Sequence, residues 1–198
     1  MKMVTIDEIL QRLPEYETQK RIDHSIRVME TALKLYKLWG GNKQVLSYAG
    51  LLHDIARDLP VEKLIEIAQR NGYQIDQIEA ENPVILHAPV GAIIAKNDFG
   101  ITDEDILNCI RYHTTGRANI TIDEAIIYLA DFIEPGRDFE DAAKVRNIAF
   151  TNLKEAVLEE TILNVVYLMN ARTPIHPRTI EMFNSLLKKQ LTKPEIKI

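Results

Sequence analysis

A chain of 198 residues lies within the roughly 100–200 residues of one domain and can bury a core without disulfides or structural metal. A hydrophobic share of 46% and a charged share of 27%, with eight Gly and eight Pro, exclude a disordered chain or a fibrous repeat. A net charge of −5 excludes a generic nucleic-acid binder, which needs Lys and Arg over a wide face to neutralise backbone phosphates, but it leaves room for a small phosphorylated ligand held by a few local cations.

One domain is therefore expected over 1–198, with its core over 18–191. MKMVTIDEILQRLPEYE lacks the basic start, apolar centre and small-residue cleavage site of a leader. No apolar run approaches the roughly 18 residues of a membrane span, so a cytoplasmic protein without membrane contact is expected. The single cysteine, Cys109, rules out an intramolecular disulfide and a multi-thiolate zinc site; on its helix it reads as a small buried hydrophobe.

In chain order, Thr5 and Glu8 form a capping box for a short helix TIDEILQRL that stops before Pro14. A second helix runs from Thr18 to Trp39, closed by Gly40 and Gly41. In QVLSYAGLLHDIARDL the apolar residues Val45, Tyr48, Ala49, Leu52, Ile55, Ala56 and Leu59 keep helical spacing, which predicts a buried central helix ending at Pro60. PVEKLIEIAQRNG is a more exposed helix with Gly72 past its end.

Pro89 can open the next helix, which runs to Phe99 and leaves His87 just before its N-terminus. Thr102 is expected to cap DEDILNCIRYH, and IDEAIIYLADFIE follows until EPGR breaks the pattern. A long helix through Met169, a turn at ARTPIHP, a last helix to Leu191 and a frayed tail TKPEIKI complete the chain. With no alternation of strand length and no internal repeat, the fold class is all-α, a helical bundle.

A His-Asp dipeptide alone carries little information, but His53 and Asp54 sit in an otherwise apolar segment, where adjacent ionisable groups are unfavourable unless paired or bound to a metal. His113 ends the stripe Ile106, Cys109, Ile110, His113, which places it on the core face of its helix. Asp131 interrupts IIYLADFI, a run so apolar that a buried carboxylate needs a cation beside it. His24, in RIDHSIRV, has Arg27 one turn on, and His87 lies in LHAPVG. Taken singly, each of these has an ordinary explanation as a surface, turn or satisfied core residue; together they call for one common cause.

Imidazole and carboxylate without sulfur suit iron, manganese or another divalent first-row metal better than structural zinc. Six ligands exceed what one catalytic ion with open positions needs. They are enough for two ions about 3.5–4 Å apart, with Asp54 as the natural bridge.

The order H, HD, H, H, D, carried by RIDHSIRV, LLHDIARDL, LHAPVGA, RYHTTG and LADFIEPGR, resembles the HD-domain metallophosphohydrolase superfamily. HDIARDLP, RYHTTGR, ADFIEPGR and the late PIHP are similar to its bacterial YqeK group, the symmetrical bis(5′-nucleosyl)-tetraphosphatases, over His24 to His176. The resemblance implies a helical bundle that hydrolyses diadenosine tetraphosphate to two ADP with iron or a similar ion. It implies that His24, His53, Asp54 and Asp131 hold a first metal, and that His87 and His113 hold a second with Asp54 or, when one ion is bound, meet the substrate phosphates. The chain lacks the GYP signature of cyclic dinucleotide phosphodiesterases, and IARD follows the His-Asp pair where guanosine-tetraphosphate hydrolases are expected to carry a Glu-Asp pair.

In that reading water acidified by the metals attacks an inner phosphorus in line and ADP leaves. Arg27, Arg137 and Arg117 are the cations expected to offset phosphate charge. Asp58, one turn after Asp54, is expected to orient a ligating histidine or polarise the water. Thr114 and Thr115 could donate hydroxyls to phosphate, and Arg172, Thr173 and His176 of ARTPIHP are expected to hold a nucleoside. An HD phosphohydrolase acting on another nucleotide or phosphate ester, and a nonenzymatic nucleotide or metal sensor, are the alternatives. Sequence leaves the oligomeric state open, with a homodimer as the expectation.

Overall fold

The computed structural model describes residues 4–188, and among these the all-α expectation holds: helices and short 3₁₀ turns, with no strand. α1 (Ile6–Arg12) opens on the expected capping box, Thr5 accepting from the Glu8 N–H while the Glu8 side chain accepts from Thr5 N–H. A 3₁₀ turn at Leu13–Glu15 absorbs Pro14. α2 (Gln19–Trp39) stops at Gly40, whose φ of 82° is open to glycine and strained for other residues. The expected end of the last helix at Leu191 and the tail 192–198 lie outside the described residues.

α3 (Lys43–Leu52) corrects the sequence reading, which carried this helix to Leu59. Beyond Leu52 the chain continues through tighter turns, with Ile55 N–H donating to Leu52, Arg57 to Asp54 and Leu59 to Ala56. The His53 ring accounts for the break: its Nδ1 lies 2.9 Å from the Gly50 carbonyl, the acceptor that the Asp54 N–H would use in a continued helix. The His-Asp pair thus follows the helix end instead of lying within it.

α4 (Val61–Arg70) matches its expected span, whereas α5 (Gln77–Glu81) was not anticipated. A 3₁₀ turn at Pro83–Leu86 leads into α6 (His87–Asn97), which begins on the histidine itself. α7 (Glu104–Tyr112) is capped by Asp103, which accepts from Asp105 N–H, and not by Thr102. α8 (Ile122–Ile133) has a capping box between Thr121 and Glu124. The single long helix expected through Met169 is two, α9 (Glu140–Ala149) and α10 (Leu153–Asn170). Asn152, in extended backbone, caps Glu155 N–H and restarts the helix on a new axis. α11 (Pro177–Lys188) closes the described chain.

α2 packs on α3 and α8, α3 also meets α7 and α8, and α10 lies against α8 and α9. Leu51, Leu52, Ile126, Ile127 and Leu129 are wholly buried where these helices meet; each such side chain contributes roughly 1.5–3 kcal/mol. Cys109 is buried in this core as expected, and burial pushes its thiol well up. Among the described residues no helix is long and apolar enough to cross a membrane.

Gly50 sets the approach of α2 and α3, because a Cβ there would lie 2.7 Å from the Met29 Cα. The obstacle is backbone, so the helices themselves must separate. Gly50→Ala is expected to destabilise the protein by about 2 kcal/mol, read as a fall in Tm of roughly 4–8 °C; an unchanged Tm would mean that the crossing has slack.

Candidate metal centre

Helix ends leave carbonyls without intrahelical partners; His53 and His113 use such carbonyls, and His87 uses one of the 3₁₀ turn before it. His53, at the end of α3, has Nδ1 2.9 Å from the Gly50 carbonyl; His113, at the end of α7, has Nδ1 2.8 Å from Ile110; His87, after the 3₁₀ turn, has Nδ1 2.6 Å from Val84. Each ring is tied back to the residue three positions earlier. Nδ1 therefore carries the hydrogen, and Nε2 is left with a free lone pair. His24 is tied at the same nitrogen from within α2, its Nδ1 3.1 Å from Oε1 of Glu134. Glu134, 2% exposed, also takes Arg27 Nε at 2.6 Å and the Gly136 N–H.

The four Nε2 atoms face two carboxylates. His24 Nε2 is 3.0 Å from Asp131 Oδ1 and 3.9 Å from Asp54 Oδ2. His53 Nε2 lies 3.8 Å from Asp54 Oδ2 and 3.9 Å from Asp131 Oδ1. On the other oxygen of Asp54, Oδ1, are His87 Nε2 at 3.4 Å and His113 Nε2 at 3.5 Å. Asp54 thus turns one oxygen to each pair of histidines, which is the disposition a bridging carboxylate requires.

These atoms fit a cation. Nε2 of His53 is buried without any hydrogen-bond partner, a loss of ~1–3 kcal/mol if nothing satisfies it, and Nε2 of His24 meets only Asp131 Oδ1, 3.0 Å away. His87 Nε2 and His113 Nε2 stand 3.2 Å apart, two lone pairs that repel unless a proton or an ion lies between them. His24, His53 and Asp131 form one set, and His53, Asp54 and His113 another, whose ligand atoms lie within 4.8 Å of one another. The nitrogen and oxygen donors suit divalent first-row metals.

The charges respond to this crowding. Burial holds His53 down to about 4, and burial with His113 nearby holds His87 down to about 3, so both are neutral and able to ligate at neutral pH. Burial opposes charge on His113 as well, yet Asp54 draws its value up; for His24, Asp131 and Glu134 do the same. Asp54 and Asp131 resist the upward push of burial because histidines surround them, and both lie far below the usual carboxylate range. Glu17, 5% exposed and without a partner for either oxygen, is pushed up to about 8 by burial and by Asp54.

A cavity of about 770 Å³ opens onto the centre, lined by Asp54, Asp131, His87 and His113. Thr114 and Arg137, both expected at the substrate, line it: the Thr114 hydroxyl is 3.1 Å from His113 Nε2, and Arg137 Nη2 donates to Asp131 Oδ1 at 2.7 Å. Other expected residues are placed elsewhere. Arg27 is held by Glu134, and Arg117 forms a bidentate pair with Glu124. The Thr115 hydroxyl bonds the Gly116 carbonyl. Asp58 touches no ligating histidine; it accepts from Thr18 N–H at 3.1 Å and from Arg21 Nε at 3.2 Å, tying the start of α2 to the turn after His53.

Arg172, Thr173 and His176 are not among the cavity-lining residues. His176 has the tautomer opposite to that of the site histidines: Nδ1 accepts from the Arg178 N–H and Nε2 donates to Asp76 at 2.9 Å. It keeps no lone pair for an ion, and with Glu79 and Arg178 it joins α5 to α11.

Sequence reasoning missed Arg21, whose Nη1 donates to Asp54 Oδ2 at 2.7 Å. Its spacing of one turn before His24 was available as a signal. Arg57 was also missed; it lines the cavity with Nη1 3.2 Å from His87 Nδ1. Since that nitrogen donates to Val84 at the shorter distance of 2.6 Å, Arg57 is a charged neighbour of His87 and not its hydrogen-bond donor. Nothing in LADFIEPGR marked Glu134 as the partner of His24.

The model of the family described as HD domain matches residues 21–136. Two curated relatives named symmetrical bis(5′-nucleosyl)-tetraphosphatase are similar over nearly their whole length. The one from Halalkalibacterium halodurans is 39% identical over 91% of this chain and 96% of its own, and the one from Bacillus subtilis is 36% identical over 91% and 97%. A crystal structure from Clostridium acetobutylicum, described as a predicted HD superfamily hydrolase involved in NAD metabolism, is 38% identical. It superimposes with a TM-score of 0.91 over 94% of this chain and 99% of that one.

Proposed function

The chain belongs to the HD-domain family, and from that premise we propose that it is a metal-dependent hydrolase cleaving diadenosine tetraphosphate symmetrically into two molecules of ADP. The observation that carries the reading is the convergence of four imidazole Nε2 atoms on Asp54 and Asp131, two of them buried with no other partner. Relatives bearing that activity's name cover nearly all of the chain.

His24, His53, Asp54 Oδ2 and Asp131 would hold one ion; His87, His113 and Asp54 Oδ1 would hold the other or, with one ion bound, contact phosphate. Iron is the ion proposed, with manganese as a substitute, because the donors are imidazole and carboxylate. A divalent ion bound here supplies Lewis acidity, which offsets phosphate charge and acidifies water. Arg21, Arg57 and Arg137 line the same cavity and place positive charge where a polyphosphate would lie. Water adds to one inner phosphorus while the central bridging P–O bond breaks. One ADP then carries the water oxygen and the other the bridging oxygen, and the protons pass to solvent. A cytoplasmic location suits a nucleotide substrate, and the exposed apolar side chains Ile162, Val166 and Met169 of α10 support a homodimer.

The test is to load the protein with iron or manganese, incubate it with diadenosine tetraphosphate under reducing conditions and resolve the products. ADP alone is expected. AMP with ATP would refute symmetrical cleavage, and no turnover beside rapid hydrolysis of another nucleotide would move the assignment to that substrate.

A further inference from the structure

One face of α10 carries Glu160, Leu163, Asn164 and Tyr167, at helical spacing, and all four line the cavity that opens onto Asp54 and Asp131. None of them belongs to the metal centre. Glu160 is 5% exposed, and its Oε2 is buried with no hydrogen-bond partner. Burial pushes its carboxyl well above the usual carboxylate range, and Asp131 adds to the effect, so the surroundings favour the protonated form. Glu160 also lines the cavity; a buried polar atom without a partner is unfavourable by ~1–3 kcal/mol, and a ligand group that reaches it relieves that loss.

The chemistry of the wall limits what that ligand is. A neutral carboxyl presents one donor and one acceptor side by side, as does the Asn164 amide. Phosphate offers acceptors alone and matches the arginine side of the cavity. A nucleobase edge offers adjacent donors and acceptors, and its flat faces suit apolar and aromatic surfaces. Such surfaces are present: Phe132, Leu163 and Tyr167 line the cavity, and Phe139 packs edge-on against Phe132 with ring centroids 5.3 Å apart.

We propose that Glu160 and Asn164 are the polar contacts of a nucleobase subsite walled by Phe132, Leu163 and Tyr167, so that α10 selects the nucleoside end of the substrate while the Asp54 side takes the phosphates. The inference rests on the nucleotide reading of the site given above.

Calorimetric titration of the full-length, metal-loaded protein with ADP and, separately, with inorganic pyrophosphate tests it. Glu160→Ala and Asn164→Ala are each expected to weaken ADP about 10-fold, the loss of one or two hydrogen bonds, and to leave pyrophosphate within about twofold. Glu160→Gln keeps a donor and an acceptor and is expected to hold ADP within about threefold; it also serves if the alanine variant fails to fold. Equal weakening of ADP and pyrophosphate, unchanged ADP affinity, or loss of bound metal would overturn the subsite, as would a wild-type protein that does not bind ADP. Wild-type protein that binds ADP in this base-dependent way but fails to cleave diadenosine tetraphosphate would remove the reaction and keep the subsite.

Discussion

Asp54→Ala is expected to lower turnover by about three orders of magnitude or more, roughly 4 kcal/mol of lost transition-state stabilisation, while circular dichroism stays that of the folded protein. The size of the effect follows from the position of this one side chain. Its Oδ2 faces His24 and His53, and its Oδ1 faces His87 and His113, so its removal takes a ligand from both halves of the centre. Helicity is spared because Asp54 lies beyond the end of α3 and supports no helix cap. Bound metal should fall together with activity. Retained turnover would mean that the two halves act without a shared carboxylate.

His87→Ala and His113→Ala are expected to separate the two halves. Both residues lie on the Oδ1 side, 3.2 Å from each other, away from the contact of His24 with Asp131 at 3.0 Å. Each variant should keep one tightly bound ion per chain and lose the second, with kcat reduced about 100-fold, as one arm of a two-ion clamp is lost. Metal analysis after gel filtration, beside steady-state kinetics, checks this. Loss of all metal in both variants would show a single coupled site, and no change in kcat would remove these histidines from the chemistry.

The helical bundle and the ligand set were readable because they are written as exceptions to an apolar pattern. His113 closes a core stripe, and Asp131 breaks a run of buried side chains in which Ile126, Ile127 and Leu129 are wholly inaccessible. What escaped depended on contacts remote in sequence or on side-chain geometry. Glu134 meets His24 across 110 positions, and no local pattern encodes that meeting. Helix lengths near the site were misjudged because apolar spacing does not register an imidazole bonding its own helix-end carbonyl, as His53 does at Gly50. No local pattern separates Glu160 from its neighbour Glu159, which is half-buried and pairs with Lys144; only the packing of α10 on α8 and α9 makes Glu160 a buried acid.

The resemblance also drew attention to residues that fold back on the scaffold. Arg27 and His176 stand in motifs quoted for the family likeness, and their observed partners are Glu134 and Asp76. A polar residue in a conspicuous motif can serve by holding another residue in place, and Asp58 on Arg21 and Thr18 is a third instance.

Titration of metal-free, folded protein with manganese, followed calorimetrically, bears most directly on the whole account. Saturable binding is predicted, at up to two ions per chain, and it should be lost or halved when Asp54 is replaced by alanine. A folded wild-type protein that takes up no divalent cation, or an Asp54→Ala variant that binds as the wild type does, would contradict it.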